Sequence, residues 1–199
     1  MIHLSAHVDR TVKVPATCQI WHLAQVREGV QLGEHAKIGR GSYIGSGVYV
    51  GAFTKIQNFA MVFEPASLGT GVFIGPGAVL TNDRNPRAIR SDGTPKMPAD
   101  WNAVGVIVHD GASIGANATC IAPVEIGRWA MVAAGSVVTK DVRDYALVAG
   151  NPAEQIGWVG SSGFRLEPGP LSGQFVCPAS GEVYRASQEG GIAPLVGDF

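Results

Sequence analysis

The sequence has no apolar run approaching the ~18 residues that a membrane-spanning helix needs, so none is predicted. Charge is scarce and balanced: 15 basic against 16 acidic side chains leave a net charge of −1. That gives no electrostatic attraction for nucleic acid or an anionic membrane surface. The N-terminus lacks a basic stretch followed by an apolar one, so no signal peptide is predicted, and the cytosol is the expected location. Cysteines number only three. Cys18 and Cys120 read as small buried hydrophobes. Cys177, in Cys177-Pro178-Ala179-Ser180-Gly181, looks like half of a zinc knuckle, but no second Cys-x-x-Cys exists to complete a site. The histidines, His3, His7, His22, His35 and His109, do not form a spaced ligand trio, and no metal is expected. A phosphate-binding Gly-Lys-Ser/Thr loop and a nucleophile elbow are also missing.

What the chain has is a beat of six. Ile2, Val8, Val14, Ile20, Val26, Leu32, Ile38, Ile44, Val50, Ile56, Val62, Leu68, Ile74 and Leu80 follow one another at intervals of six residues. The beat resumes at Val108, Ile114, Cys120, Ile126, Val132 and Val138. Small or compact residues such as Ala24, Ala36, Ser42, Thr54, Ala60 and Ala78 stand four positions after the aliphatic ones. A period of six fits neither an α-helix nor a coiled coil. It fits a short strand and a turn, three of which close an eighteen-residue triangular coil, and stacked coils make a parallel β-solenoid. Glycine follows the aliphatic at Gly33, Gly39, Gly45, Gly51, Gly75, Gly115 and Gly127, where the backbone turns sharply or approaches another coil.

The expected organisation is a β-solenoid over residues 1–140 and a C-terminal cap and tail over 141–199. The tail is rich in glycine and proline; its strand candidates, Phe175–Cys177 and Glu182–Tyr184, suggest a small hairpin, and disorder is expected in the last ten residues. The beat fails between Leu80 and Val108. That gap of 28 residues equals one coil plus ten, so an extruded loop over about 82–106 is predicted to return the chain to the same face. The loop is polar, arginine-rich and well supplied with turn residues. An interruption of this kind in a regular scaffold points to function.

In an eighteen-residue register, side chains stack in columns. Glu64 and Asn82 are predicted to project from one face on adjacent coils, with Asp110 next above them. His22, Arg40 and Asn58 form a second column. Carboxylate, amide and carboxylate beside an arginine-bearing loop would make a polar pocket.

Longer strings carry a resemblance. Ile20-Trp21-His22, Lys55-Ile56-Gln57-Asn58, Thr81-Asn82 with Asn85-Pro86-Arg87, and Gly111 to Thr119 are among them. Val137 to Val142, Tyr145 to Val148, Gly150-Asn151-Pro152-Ala153 and Gln155 to Trp158 continue the series. Over about residues 5–185 the chain resembles the left-handed β-helix N-acetyltransferases of nucleotide-linked amino sugars. These act on UDP-2-acetamido-3-amino-glucuronate and dTDP-3-amino-3,6-dideoxyhexoses.

The resemblance implies a left-handed, all-β parallel helix that assembles as a homotrimer with active sites in the grooves between subunits. It implies acetyl-CoA as co-substrate and a UDP- or dTDP-linked amino sugar as acceptor. Asn82 would orient the amine and Glu64 a neighbouring hydroxyl. From the stacking register and the arginine-bearing loop, His22, Arg40, Asn58, Arg84 and Arg87 are expected to contact the substrate. Ala133, Ala134 and Gly135 would lie along the pantetheine, and Lys140 would meet the adenosine phosphates.

An amine with a pKa near 7.7–8.0 is partly neutral at cytosolic pH, and a leaving thiolate whose parent thiol titrates near 8.5 can accept its proton, so a strong base is dispensable. His109, next to Asp110, is the rival base. A γ-carbonic-anhydrase-like metalloenzyme and a non-catalytic solenoid are the alternatives.

Overall fold

A computed structural model describes residues 1–187 and 190–195. The beat becomes three parallel sheets around a triangular prism. The first face stacks the strands carrying Ile20, Ile38, Ile56, Ile74, Ile114, Val132 and Val148. The second carries Val8, Val26, Ile44, Val62, Leu80, Cys120 and Val138, and the third Leu32, Val50, Leu68, Val108 and Ile126. Most strands are only two residues long, one pointing in and one out. The inward residues pile into one continuous core in which Ile20, Ile38, Ile44, Leu68, Ile74 and Ile114 are fully buried. Each such side chain removed from water is worth ~1.5–3 kcal/mol. Cys18 and Cys120 are fully buried in it as well.

The glycine that follows an aliphatic serves close approach, not turning. A Cβ on Gly39 would stand 2.6 Å from the Asn58 nitrogen, and one on Gly75 2.6 Å from that of Ala116. Sharp turning falls two residues later, where Gly29, Gly41, Gly47, Gly71, Gly77, Gly111 and Gly135 adopt positive φ. On other coils that same position holds Leu23, His35, Phe53, Phe59, Asn117 and Trp129, also at positive φ. Side chains this large in the left-handed region are uncommon, and here the coil geometry imposes them.

The interruption is larger than the sequence suggests. Leu80 pairs with Cys120 and Leu68 with Val108, partners forty residues apart. Elsewhere partners such as Val62 and Leu80 are eighteen apart, so the insertion is 22 residues and not ten. The chain leaves the second face at Leu80 and rejoins on the third face at Val106–Val108. Its two ends meet where the Val104 N–H donates to the Asn82 carbonyl at 3.1 Å. Within the loop, Arg90 grips Asp100 through Nε and Nη2 at 2.9 and 2.6 Å. Ile89 bridges Pro95, and Pro98–Asp100 forms a 3-10 turn.

At the C-terminal end, Ala146–Gly150 runs parallel to Met131–Val132 and then pairs antiparallel with Ala153–Trp158, covering the last coil. Beyond it the expected hairpin is a four-stranded antiparallel sheet of Glu167–Pro168, Gln174–Val176, Val183–Ala186 and Ile192–Pro194. A second core of Tyr145, Leu166, Cys177, Tyr184 and Ile192 lies beneath it. Of the final ten residues, 196–199 lie outside the described ones, whereas Ile192–Pro194 is a strand. Among the described residues no helix is long and apolar enough to cross a membrane.

Candidate functional site

Asn82 and Glu64 share the corner between the second and third faces, because Leu80 and Val62, each two residues earlier, are register partners. Below them in the same column are Ser46 and Glu28, whose side chains bond to each other at 2.7 Å. That bond, the Glu28 backbone N–H and Arg27 pull the Glu28 carboxyl down to about 2. Glu64 is different. Its carboxylate folds over Gly45, in space a Cβ there would occupy, and Oε2 is buried with no hydrogen-bond partner among the described residues. An unsatisfied buried acceptor costs ~1–3 kcal/mol, more when charged. Alongside, half-buried Tyr43 packs on Phe63 with ring centroids 5.3 Å apart. Burial raises the Tyr43 phenol's pKa, and the Glu64 charge raises it further. The corner therefore holds an amide, an unpartnered carboxylate oxygen and a phenol at the mouth of the loop.

Asp110 does not join this column. Because the insertion carries the chain on by one face, Asp110 stands above Thr70 and accepts its N–H at 2.6 Å. It caps a turn, as Asp144 does for Arg128 at 2.7 Å. His109 Nε2 lies 3.3 Å from the exposed Glu125 carboxylate, at the opposite end of the third face from Asn82. The chain by itself does not bring His109 to Asn82.

The second predicted column is present on the corner between the first and second faces. His22, Arg40 and Asn58 line a cavity of about 340 Å³ together with Trp21, Lys37, Gly39, Ile56 and Gln57. Asn58 Oδ1 accepts the Arg40 N–H at 2.9 Å, which fixes the amide. His22 stacks on His3 at 3.5 Å, and the Arg40 guanidinium lies 5.9 Å from the centre of the Phe59 ring. This cavity and the Glu64–Asn82 pair flank the second face. Sequence reasoning missed Lys37, Trp21 and Tyr43. The same register, applied to the outward residue just before or after each aliphatic, would have found them.

Arg84 and Arg87 are exposed on the loop, and Arg87 Nη1 donates to its neighbour's carbonyl at Pro86, 2.8 Å away. Ala133, Ala134 and Gly135 occupy the first–second corner near the capped end, where the N–H groups of Ala133 and Gly135 bond to Val148 and Ala116. Lys140 stands on the second–third corner in the column of Asn82, 3.7 Å from the exposed Glu154 carboxylate. Among the described residues no group of three or more His, Cys, Asp or Glu could hold a metal.

Residues 105–140 match the family described as "Hexapeptide repeat of succinyl-transferase". The chain is 60% identical over 53 residues to the dTDP-3-amino-3,6-dideoxy-alpha-D-galactopyranose 3-N-acetyltransferase of Aneurinibacillus thermoaerophilus, covering 27% of this chain and 28% of that protein. It is 45% identical over 93 residues to serine acetyltransferase 4 of Arabidopsis thaliana, covering 46% of this chain and 25% of the other. It thus spans about a quarter of the length of these curated relatives. A similar solved structure is a variant of GDP-perosamine N-acetyl transferase from Caulobacter crescentus in complex with CoA and GDP-perosamine. It has 26% identity and a TM-score of 0.55 and covers 78% of this chain and 55% of the other.

Proposed function

We propose that this protein is an acetyl-CoA-dependent N-acetyltransferase whose acceptor is the amine of a nucleotide-linked amino sugar. The observation that carries this reading is the Glu64–Asn82 corner. A buried carboxylate oxygen with no partner among the described residues lies directly below a neutral amide, where the loop begins. Such an acceptor is suited to a substrate hydroxyl, and the amide can accept a hydrogen bond from the amine without charging it. Similarity to an amino-sugar N-acetyltransferase and to a structure bound to CoA and a nucleotide-linked sugar supports the same reading.

The amine nitrogen forms a bond to the thioester carbonyl carbon, the carbon–sulfur bond then breaks, and the departing thiolate takes the proton the nitrogen loses. Acceleration comes from holding the amine against the carbonyl and from N–H groups facing the oxyanion. Ala134 and Lys140 border the end of the second face that the acetyl donor would follow. The nucleotide is UDP or dTDP, the assembly a homotrimer of about 62 kDa, three times the 20.7 kDa chain, and the location cytoplasmic. Exposed Tyr49 and Phe53 support the assembly. A panel of UDP- and dTDP-linked amino sugars with acetyl-CoA, read by thiol release, tests the reaction. Light scattering tests the trimer. Absence of both acetyl-CoA binding and thiol release would leave a non-catalytic solenoid.

A further inference from the structure

The Glu64 carboxylate has a cation close by, and the fold keeps that cation occupied. Val26 and Ile44 are register partners, so Arg27 stands directly below Gly45, and its N–H donates to the Ile44 carbonyl at 3.0 Å. Gly45 has no side chain, and the Glu64 carboxylate fills that space. Carboxylate and arginine therefore occupy one column, a coil apart, and coils stack ~4.8 Å from each other. Yet no ion pair joins the two among the described residues. Arg27 Nε donates instead to Glu28 Oε2 at 3.1 Å.

Glu28 is itself held. The Ser46 hydroxyl, one coil above, donates to its other oxygen, Oε1, at 2.7 Å. Glu28 raises the pKa of the Arg27 guanidinium, first by the hydrogen bond and then by its charge, and Tyr43 and Glu64 add to it. Arg27 thus feels the Glu64 charge without pairing with it. It also borders a cavity of about 380 Å³ lined by His7, Asp9, Gln25 and Glu28, so the guanidinium has room to turn. Asp9, one coil below, is taken up by the N–H and hydroxyl of Thr11 at 2.9 and 2.7 Å. A buried carboxylate oxygen without a partner is costly, and a free guanidinium beside it would satisfy it. What restrains Arg27 is Glu28.

We propose that Glu28 and Ser46 are positioning residues for the acceptor site: by holding Arg27 they keep Glu64 free to accept a hydrogen bond from a hydroxyl of the acceptor. The inference rests on the acetyl-transfer reading and deepens it, giving the reason that Glu64 has no partner of its own. An Arg27–Glu64 pair would occupy the carboxylate with charge-assisted hydrogen bonds, against which a neutral hydroxyl competes poorly. The two glutamates of this corner divide one task. Glu28 takes the cation, and Glu64 takes the substrate.

The test is Glu28→Gln, which keeps an oxygen for Ser46 and removes the charge that holds Arg27. Glu28 is 51% exposed, and circular dichroism checks that the variant folds; Glu28→Ala gives the same comparison with the acceptor removed altogether. Thiol release is measured at varied amino sugar and at varied acetyl-CoA. The expected result is a sugar KM raised about tenfold or more, the scale of losing a hydrogen bond to a charged group, with the acetyl-CoA KM unchanged. Arg27→Ala/Glu28→Gln should return the sugar KM to the wild-type value, because no cation is left to release. A sugar KM that does not rise in Glu28→Gln, or that stays raised in the double variant, overturns the inference. Thermal melting reads the pairing without turnover. In the Glu28→Gln background, Arg27→Ala should lower Tm by about 2 °C or more while Glu64 is intact, and not once Glu64→Ala is added. An equal effect of Arg27→Ala with and without Glu64 sinks the inference and leaves the acetyl-transfer reading standing. Pairing seen by melting, with no thiol release by the wild type on any amino sugar, sinks the acetyl-transfer reading and leaves the restraint of Arg27 by Glu28.

Discussion

Glu64 lies one coil below Asn82 on the same corner, with one carboxylate oxygen buried and unpartnered among the described residues. Two coils further down, Glu28 has the same position and bonds to Ser46. The column thus contains one satisfied glutamate and one unsatisfied glutamate, and the unsatisfied one is next to the loop. A fold that can satisfy this position and does not has left an acceptor for something outside the chain.

Asn82→Ala should lower kcat by about 100-fold or more, the scale of losing one positioning contact, without unfolding the protein. His109→Ala should cost far less if the thiolate takes the proton. Steady-state thiol release with both variants decides. Loss of turnover only in His109→Ala would make the imidazole the base.

Lys140→Ala should raise KM for acetyl-CoA about threefold or more, in keeping with an exposed charge pair, and leave KM for the sugar unchanged. Lys140 is 77% exposed and only loosely paired with Glu154, so stability should not move. A change confined to the sugar KM would remove the donor from this end of the second face.

Because the ends of the loop meet at Asn82 and Val104, excising residues 83–104 should join Asn82 to Gly105 and leave an uninterrupted solenoid. Those are the 22 inserted residues. The shortened protein should melt cooperatively by circular dichroism and transfer no acetyl group. An unfolded product would mean that the loop holds the coils together.

Cys177 supplies a pH dependence. Burial pushes its thiol up, but hydrogen bonds from Ser162 and Ser180 and from backbone N–H groups outweigh it, bringing the pKa from 9.0 down to about 7. A depressed acid stabilises the fold fully above its unfolded pKa and loses that contribution as pH falls through the folded one. The Tm advantage of wild type over Cys177→Ser should therefore grow between pH 7 and 9. A constant difference across that window would show that the thiol stays protonated.

Gly111→Ala should destabilise by about 1–3 kcal/mol, the cost of forcing a side chain into a left-handed position. The new methyl would meet the Trp129 ring at 2.5 Å, so Trp fluorescence should change along with Tm. An unaltered spectrum would place the ring elsewhere.

The solenoid was legible in the sequence because its three faces repeat the same demand, an inward aliphatic at intervals of six. For the same reason the sequence could not say which face the chain rejoins after the loop. Val108 fits the beat equally well on the second or the third face, and only its pairing with Leu68 decides. Asp110 was misplaced by that ambiguity, whereas Glu64, Asn82 and the column of His22, Arg40 and Asn58, all before the interruption, were read correctly in register. The C-terminal sheet was only half visible, since two of its strands, Glu167–Pro168 and Ile192–Pro194, contain proline and have no alternating pattern.

Phe59 lies over Gly41 and Trp129 over Gly111, each aromatic filling the place of the side chain its lower neighbour lacks. The glycine and the ring at each of these corners are therefore coupled sterically across eighteen residues. A lineage that gives up the glycine must shrink or flatten the ring above it, and one that gives up the ring leaves a furrow in the surface. Substitutions there should arrive in pairs, and the texture of each corner should change two coils at a time.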